Sequence, residues 1–137
     1  MSFEYIPHTA DVKFKARGKN LNEVFSSAAL ATYNILIDVK KINLKEIKKI
    51  KIESKSKESL LYDFLERLII LIDSEYFIGG KINKLKLSKN NTKLEAEISG
   101  DDVSNYDTHG DIKAATYADM EIVEKRGKCY AIVVLDV

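Results

Sequence analysis

Apolar and polar residues alternate along several short stretches of the chain, which is the pattern of β-strands with one buried face. The clearest stretch runs from Val12 to Arg17, where Val, Phe and Ala alternate with Lys and Arg. Gly18 follows this stretch and ends it. We predict further strands at residues 3–6, 47–52, 81–87, 93–99, 112–124 and 128–135.

Two longer stretches repeat their apolar residues at helical spacing instead. The first begins at Asn20, with Glu23 three residues later at the offset of a capping box, and extends to about Ile37. The second covers roughly residues 57–74 and is apolar over more than half of its circumference. This pattern predicts a largely buried helix.

The order of these elements defines the fold class. Gly79-Gly80 is predicted to be a turn, and Asn90-Asn91 the turn of a β-hairpin. The resulting order β-β-α-β-α-β-β-β-β is typical of an α+β fold with two helices packed on a mainly antiparallel β-sheet. We expect residues 1–137 to form a single domain, because this length suffices for one substantial core.

Composition narrows the class of protein. The chain is 45% hydrophobic and 31% charged, and no apolar stretch is long enough to span a bilayer, so no membrane partner is expected. Residues 1–8 lack the pattern of a secretory signal, and the single cysteine, Cys129, can form no internal disulfide. Cys129 falls in a predicted central strand, where a buried, inert thiol is expected. These features favour a cytoplasmic protein.

The net charge is +1, from 22 basic and 21 acidic residues. A protein that binds nucleic acid by bulk electrostatics carries a strong basic excess, so direct nucleic-acid binding is expected to be weak. The net charge does not exclude a local basic patch. In the lysine-rich stretch 40–57, however, alternation with isoleucine indicates an exposed strand face.

Residues near the two ends of the chain could form a metal site. Residues 129–135 are apolar on both alternating faces, which predicts a strand in the middle of a sheet. Asp136 follows this strand, and Asp11 precedes the strand that begins at Val12. If the two strands pair antiparallel, Asp11, Asp136 and the α-carboxylate of Val137 converge on one edge. Like charges so close repel one another, and a hard divalent cation held by oxygen ligands would neutralise them.

Each candidate residue also has a plain structural explanation. Asp11 alone is typical of a turn or a cap, and Asp136 alone of a frayed terminus. His109 lies in the polar stretch 100–111, where it is either solvated or a switchable charge near neutral pH. Lys113 is either a solvent-facing strand residue or a contact for an anionic partner group.

No motif of a known catalytic class is present. The chain has no Gly-x-Ser-x-Gly, Walker, Cys-x-x-Cys, His-Glu-x-x-His or Rossmann glycine motif. We therefore predict no catalytic residue. By themselves, the residues indicate a carboxylate metal site rather than a reaction.

Four short motifs together resemble those of the archease family. They are residues 8–12 (HTADV), Tyr106-Asp107 with His109, residues 112–117 (IKAATY) and residues 133–137 (VVLDV). The similarity covers nearly the whole chain, and the motifs occur where the family has them. One position differs, because Ala118 stands where many members have histidine, so no role of that histidine is expected here.

The resemblance implies a function. Archeases are small metal-binding proteins that activate the RtcB-type RNA ligase in tRNA splicing, promoting its GTP-dependent guanylylation and multiple turnover without catalysing a step themselves. The family's divalent metal site corresponds to Asp11, Asp136 and Val137, and its essential lysine to Lys113. Ca²⁺ is the expected bound ion, with Mg²⁺ and Mn²⁺ as alternatives. His109 is expected to contribute to partner contact or activation.

The sequence is also compatible with two other functions. The family is also associated with a chaperone-like role toward a tRNA methyltransferase. A metal-dependent hydrolase that uses the same carboxylates is the other alternative, but neither terminal motif contains an evident base or nucleophile.

Overall fold

The computed structural model describes residues 1–137, and its strands divide between two antiparallel sheets. The strands are β1 (Ser2–Ile6), β2 (Val12–Gly18), β3 (Glu46–Glu53), β4 (Phe77–Leu87), β5 (Lys93–Asp102), β6 (Ala114–Ala115), β7 (Glu121–Lys125) and β8 (Lys128–Asp136). The helices are α1 (Leu21–Asn34) and α2 (Lys57–Glu75), and two single turns of 3₁₀ helix cover Val39–Lys41 and Val103–Asn105.

The larger sheet has five strands and the smaller has three. The larger sheet runs in the order β1-β2-β8-β6, and β7 pairs with the first half of β8 on the same side as β6. The smaller sheet runs β3-β5-β4, and every pairing in both sheets is antiparallel. The predicted fold class is therefore confirmed. So is the central position of the C-terminal strand, which lies between β2 and the pair β6 and β7.

Helix α1 contacts both sheets and joins them into one core. It packs against β2 of the larger sheet and β4 of the smaller, and Phe25 and Tyr33 are completely buried. At its start the Asn20 side chain accepts the N–H of Glu23 at 3.0 Å, as the capping-box offset predicted. The Glu23 carboxylate accepts the N–H of Lys19 instead of returning to Asn20, so only half of the box forms.

Helix α2 packs its wide apolar face into the same core. Ser56 and Ser59 form a reciprocal capping box at its start, and its buried residues include Leu61, Phe64 and Leu68. One cluster of 34 buried hydrophobic residues contains both helices and both sheets, Cys129 among them. Neither α1 nor α2 has an apolar stretch that could span a bilayer.

The predicted turn at Gly79-Gly80 is wrong, because both glycines lie inside β4. A Cβ built on Gly79 would approach the ring of Tyr33 to 2.5 Å and Ile98 to 2.6 Å, and one on Gly80 would approach Ile42 to 2.9 Å. These glycines therefore allow neighbouring side chains to pack directly on the backbone of β4. The pairing with β5 also shifts its register between Gly79 and Lys81.

The predicted strand at 112–124 is also wrong as a single element. It divides into β6 and β7, with a turn at residues 116–120 between them. Ala115 pairs with Leu135, whereas Glu121 pairs with Ile132. The five residues between these pairs face only two residues of β8, so the chain must leave the sheet and return.

The first helix ends at Asn34 rather than near Ile37, where it was predicted to end. After Asn34 the chain tightens into 3₁₀-type hydrogen bonds.

Candidate metal and partner site

Asp11 and Asp136 lie at the same edge of the larger sheet. In the antiparallel pair of β2 and β8, Val12 is directly opposite Leu135. Asp11 precedes Val12 and Asp136 follows Leu135, so both residues lie one position beyond that pair. Asp136 is exposed and Asp11 is half-buried. The strand pairing on which the predicted metal site depends is therefore present.

The loop between β1 and β2 sets the position of Asp11. Ile6 and Lys13 form the last pair of the hairpin, and Pro7 then ends the ladder because it has no N–H. Ala10 has a φ of 67°, a left-handed conformation that costs roughly 1–2 kcal/mol for a residue with a Cβ. Such strain persists only where the surrounding structure maintains it, and here it turns the chain directly before Asp11.

The imidazole of His8 lies between two carboxylates. Its Nδ1 is 3.9 Å from Oδ2 of Asp11, and its Nε2 is 3.8 Å from Oδ2 of Asp119. The Nζ atom of Lys13 is 3.5 Å from the same Asp119 oxygen. These side chains link Asp11 to the turn that follows β6, and Lys13 offsets part of the negative charge at this edge.

Asp119 was not found by the sequence analysis. It occupies the turn at residues 116–120 with a φ of 53°, a conformation that aspartate tolerates better than most residues. The only sequence feature that indicated a turn at this place was the small residue Ala118 followed by an aspartate. That signal could not be interpreted while residues 112–124 were taken as one continuous strand.

Lys113 lies on the other side of Asp136 from β2. Ala114 pairs with Asp136, and the backbone N–H of Lys113 donates to the Asp136 carbonyl oxygen at 2.8 Å. The Lys113 side chain is exposed and forms no ion pair. The structure therefore brings Asp11, Asp136 and Lys113 to one end of the larger sheet, with Asp136 in the middle.

Helix α2 contributes to holding β6 in place. The Glu66 carboxylate accepts the N–H of Ala115, and the rings of Tyr62 and Tyr117 stack with their centroids 4.3 Å apart. The Thr116 hydroxyl donates to the carbonyl oxygen of Val134 at 2.8 Å. A strand of two residues has few ladder bonds of its own. These contacts therefore fix the backbone next to Lys113.

The His109 side chain is not brought into this group. Its backbone N–H donates to the Leu36 carbonyl oxygen at 2.7 Å, while its exposed imidazole forms no hydrogen bond or ion pair. The preceding part of the loop is anchored by Tyr106, whose hydroxyl donates to Asp101 at 2.7 Å and accepts the Asn43 N–H at 2.8 Å. The hydrogen bond from Tyr106 lowers the pKa of the Asp101 carboxyl below its ordinary value.

The oxygen atoms at this edge suit a hard divalent cation in an open site. No group of three or more His, Cys, Asp or Glu side chains is placed to hold a metal ion. The predicted metal site includes only two side chains, those of Asp11 and Asp136. Its predicted third ligand is the α-carboxylate of Val137, a half-buried residue directly after β8. Ca²⁺ prefers carboxylate oxygens, and water completes its coordination where protein ligands are few. The residues fit such an ion chemically, and its binding stays a prediction.

Comparison with known proteins identifies the family. The family model described as "Archease protein family (MTH1598/TM1083)" matches residues 3–137. The protein archease of Sulfurisphaera tokodaii is 35% identical over 132 residues, which cover 95% of this chain and 94% of that protein. The chain therefore belongs to the archease family, and the resemblance inferred from the four motifs is confirmed.

Two solved structures share the fold. The solution structure of Methanobacterium thermoautotrophicum protein 1598 matches with a TM-score of 0.83 at 32% identity and covers 98% of both chains. The crystal structure of an archease from Thermotoga maritima, described as a possible chaperone, has a TM-score of 0.62 at 22% identity and covers 98% of this chain and 96% of that one. The second likeness shows the fold alone.

Proposed function

We propose that this protein activates an RtcB-type RNA ligase, with Asp11, Asp136 and Lys113 acting together at one end of the larger sheet. The observation that carries the proposal is the position of Asp136 on β8, between the strand that follows Asp11 and the strand that follows Lys113. Membership of the archease family supports a common role for these three residues. The ligase as partner comes from the family resemblance.

The two carboxylates would hold the divalent cation. Asp11 and Asp136, with the α-carboxylate of Val137, offer oxygen ligands for Ca²⁺, or for Mg²⁺ or Mn²⁺. When bound, such an ion neutralises negative charge on phosphate groups, which is what nucleotidyl transfer requires. The protein itself positions ligands and presents a surface, and the chemical step belongs to the ligase.

Lys113 would contact the partner directly. Its ammonium group is exposed and free of any ion pair, although its backbone N–H donates to the Asp136 carbonyl oxygen. An unpaired lysine on a fixed backbone can bind a carboxylate or a phosphate without first breaking a bond within its own protein. The tether between Ala115 and Glu66 supplies the fixed backbone.

A ligation time course with the cognate ligase limiting tests the proposal. With GTP and the divalent ion present, we expect repeated ligations per ligase molecule when the protein is added and a single round when it is omitted. Omitting GTP should abolish the gain. A single round in both reactions would contradict the proposed function.

We predict that Lys113→Ala weakens activation of the ligase and leaves the fold intact. Replacing an exposed lysine should change the free energy of unfolding by less than about 0.5 kcal/mol, so melting curves should coincide. Lys84→Ala is the matched control, because Lys84 is an exposed strand lysine of the smaller sheet. Equal activation by wild type and Lys113→Ala would make Lys113 an ordinary surface residue.

The alternative partner can be distinguished with the same protein. A pull-down that recovers a tRNA methyltransferase and no ligase would replace the proposal with a chaperone-like role. Phosphoester hydrolysis that depends on Asp11 would instead indicate an enzyme.

A further inference from the structure

A cluster of cationic side chains lines an open cavity at the opposite end of the larger sheet. The cavity has a volume of about 500 Å³ and includes Lys15, Arg17, Lys19, Lys125 and Lys128 in its wall, with no carboxylate among the lining residues. Lys128 and Asp136 are the two ends of β8, eight residues apart, so this cavity is roughly 25 Å from the Asp136 edge.

The sheet register concentrates these charges on one face. Arg17 is directly opposite Tyr130, and Lys125 is directly opposite Lys128 across the β7–β8 hairpin. Like charges directly opposite each other in an antiparallel pair destabilise it. The hairpin therefore keeps a repulsive pair that a neutral or acidic residue at either position would remove.

Four of the five cationic side chains in the cavity wall form no ion pair, although Glu4 lies directly opposite Lys15 and Glu121 accepts the Tyr130 hydroxyl. Arg17 pairs with Glu4, but Lys15, Lys19, Lys125 and Lys128 form no ion pair. The Nζ atom of Lys15 lies 4.2 Å from the centre of the Tyr130 ring, which is a cation–π contact and leaves the positive charge in place. On the smaller sheet, Glu95 and Glu97 of β5 lie between the lysines of β3 and β4, and Lys51 forms an ion pair with Glu95.

We propose that this basic cavity binds two or more neighbouring phosphate groups, such as a single nucleic-acid strand or a polyphosphate presents. Several lysines around an open cavity suit a ligand with several negative charges, because each phosphate contact releases counterions. The cavity has no apolar pocket for a base, since its hydrophobic lining is limited to Met1, Cys129 and Tyr130. Recognition would therefore rest on phosphates. A net charge of +1 does not conflict with this, because the charge is unevenly distributed.

The backbone of the hairpin leaves room for such a ligand. Gly127 has a φ of 75°, and a Cβ built on it would meet nothing within 4 Å. Gly18 differs, because a Cβ built on it would meet Glu23 at 2.4 Å, so the open backbone is at Gly127 alone. A phosphate could therefore approach the main chain here without displacing a side chain.

Fluorescence anisotropy with a labelled single-stranded oligothymidylate of about ten nucleotides tests the proposal, with inorganic triphosphate as competitor. We expect Lys125→Ala/Lys128→Ala to weaken oligonucleotide binding about tenfold at about 50 mM salt. The slope of log affinity against log salt should fall by about 1.4, since each phosphate contact to a single strand contributes about 0.7.

The matched control is Lys84→Ala/Lys86→Ala, which removes the same charge from the smaller sheet. It should bind like wild type. Competition by triphosphate at concentrations similar to those of the oligonucleotide would indicate a polyphosphate ligand, and competition only in large excess a nucleic-acid strand. Both outcomes support a phosphate site. Equal losses in the two double variants, or no binding of either probe by wild type, would overturn it.

Discussion

A single buried carboxylate, Asp101, anchors the loop that leads to Lys113. It accepts hydrogen bonds from the Tyr106 hydroxyl at 2.7 Å and from the backbone N–H of Asp102 at 2.8 Å. The Tyr106 hydroxyl in turn accepts the Asn43 N–H, so the segment around Asn43 is linked to this carboxylate through Tyr106. These bonds favour the charged form and hold the pKa of Asp101 below its ordinary value of 3.8.

The lowered pKa of Asp101 predicts a specific acid sensitivity. A carboxyl whose pKa is lower in the folded state stabilises the fold above its unfolded pKa and loses that effect as pH falls through the folded value. As pH falls from about 5 to about 2, the melting temperature of wild type should therefore fall more steeply than that of Asp101→Asn, which is less stable at pH 7. Circular-dichroism melts measure this, and Asp102 titrates in both proteins. Parallel pH profiles would contradict the prediction.

At the same scale, the sequence related Asp11 to Asp136 but gave no indication that Asp119 lies near them. The first two residues lie directly beyond strands whose apolar pattern was clear, so antiparallel pairing was enough to relate them. Asp119 reaches His8 and Lys13 only because the turn at residues 116–120 folds back toward β2. A turn of that kind depends on three-dimensional register, which no local pattern in residues 112–124 shows.

At the scale of elements, β6 depends on helix α2. It contains only Ala114 and Ala115, and the Ala115 N–H is bound by the Glu66 carboxylate rather than by another strand. We predict that Glu66→Ala lowers the free energy of unfolding by about 1–2 kcal/mol, as expected for a hydrogen bond to a charged group. Hydrogen exchange of the Ala115 amide should become faster.

Glu66→Gln is the conservative control, since its side-chain oxygen can still accept the Ala115 N–H. It should retain most of the amide protection and of the ligase activation that depends on Lys113. If the Ala115 amide is equally protected in Glu66→Ala, the helix does not hold β6, and the short strand is maintained by β8 alone.

The glycines of β4 show why a local pattern failed in another element. Gly-Gly normally indicates a turn, but here Tyr33 and Ile98 occupy the space where a Gly79 side chain would lie. We predict that Gly79→Ala destabilises the protein by about 2–3 kcal/mol through overpacking. Gly110→Ala, where the left-handed φ is strained but the space is open, should cost only about 1 kcal/mol. Urea unfolding of both variants would rank them, and a smaller loss at Gly79 would contradict this.

Both helices, the β4–β5 hairpin and the central C-terminal strand could be predicted, because each has a strong apolar period or a clear turn signal. The division of the strands between two sheets could not be predicted. It arises because α1 packs against both β2 and β4, a long-range contact that leaves no periodic trace in either strand. Local patterns therefore gave the elements, and packing determined their grouping.

At the scale of the whole molecule, the larger sheet carries opposite charges at its two ends. The carboxylates of Asp11, Asp119 and Asp136 lie at one end, and the basic cavity around Lys125 and Lys128 lies at the other. Because β8 runs between the two ends and is central to the sheet, both candidate sites are attached to the most buried strand of the larger sheet. A ligand bound at either candidate site would thus be held by a buried part of the fold.

The neighbouring carboxylates Asp11 and Asp136 are expected to affect metal affinity and thermal stability in opposite directions. Removing one of two neighbouring carboxylates should weaken binding of a divalent cation and also relieve repulsion in the metal-free protein. We predict that Asp11→Asn and Asp136→Asn each lower Ca²⁺ affinity by at least about tenfold in isothermal titration calorimetry, as expected when one of few oxygen ligands is lost. Without metal, each variant should melt no lower than wild type.

The control is Asp73→Asn, which removes the same charge from an exposed position of α2 and should bind metal like wild type. If Asp11→Asn binds Ca²⁺ as tightly as wild type, the carboxylate edge is not a metal site. Lys113 could still contact the ligase in that case, because its exposure and its fixed backbone do not depend on the ion. Reduced metal affinity together with a lower melting temperature of the metal-free protein would instead show that Asp11 mainly supports the β1–β2 loop through His8. The two measurements together therefore decide whether repulsion between the carboxylates is a cost that metal binding relieves.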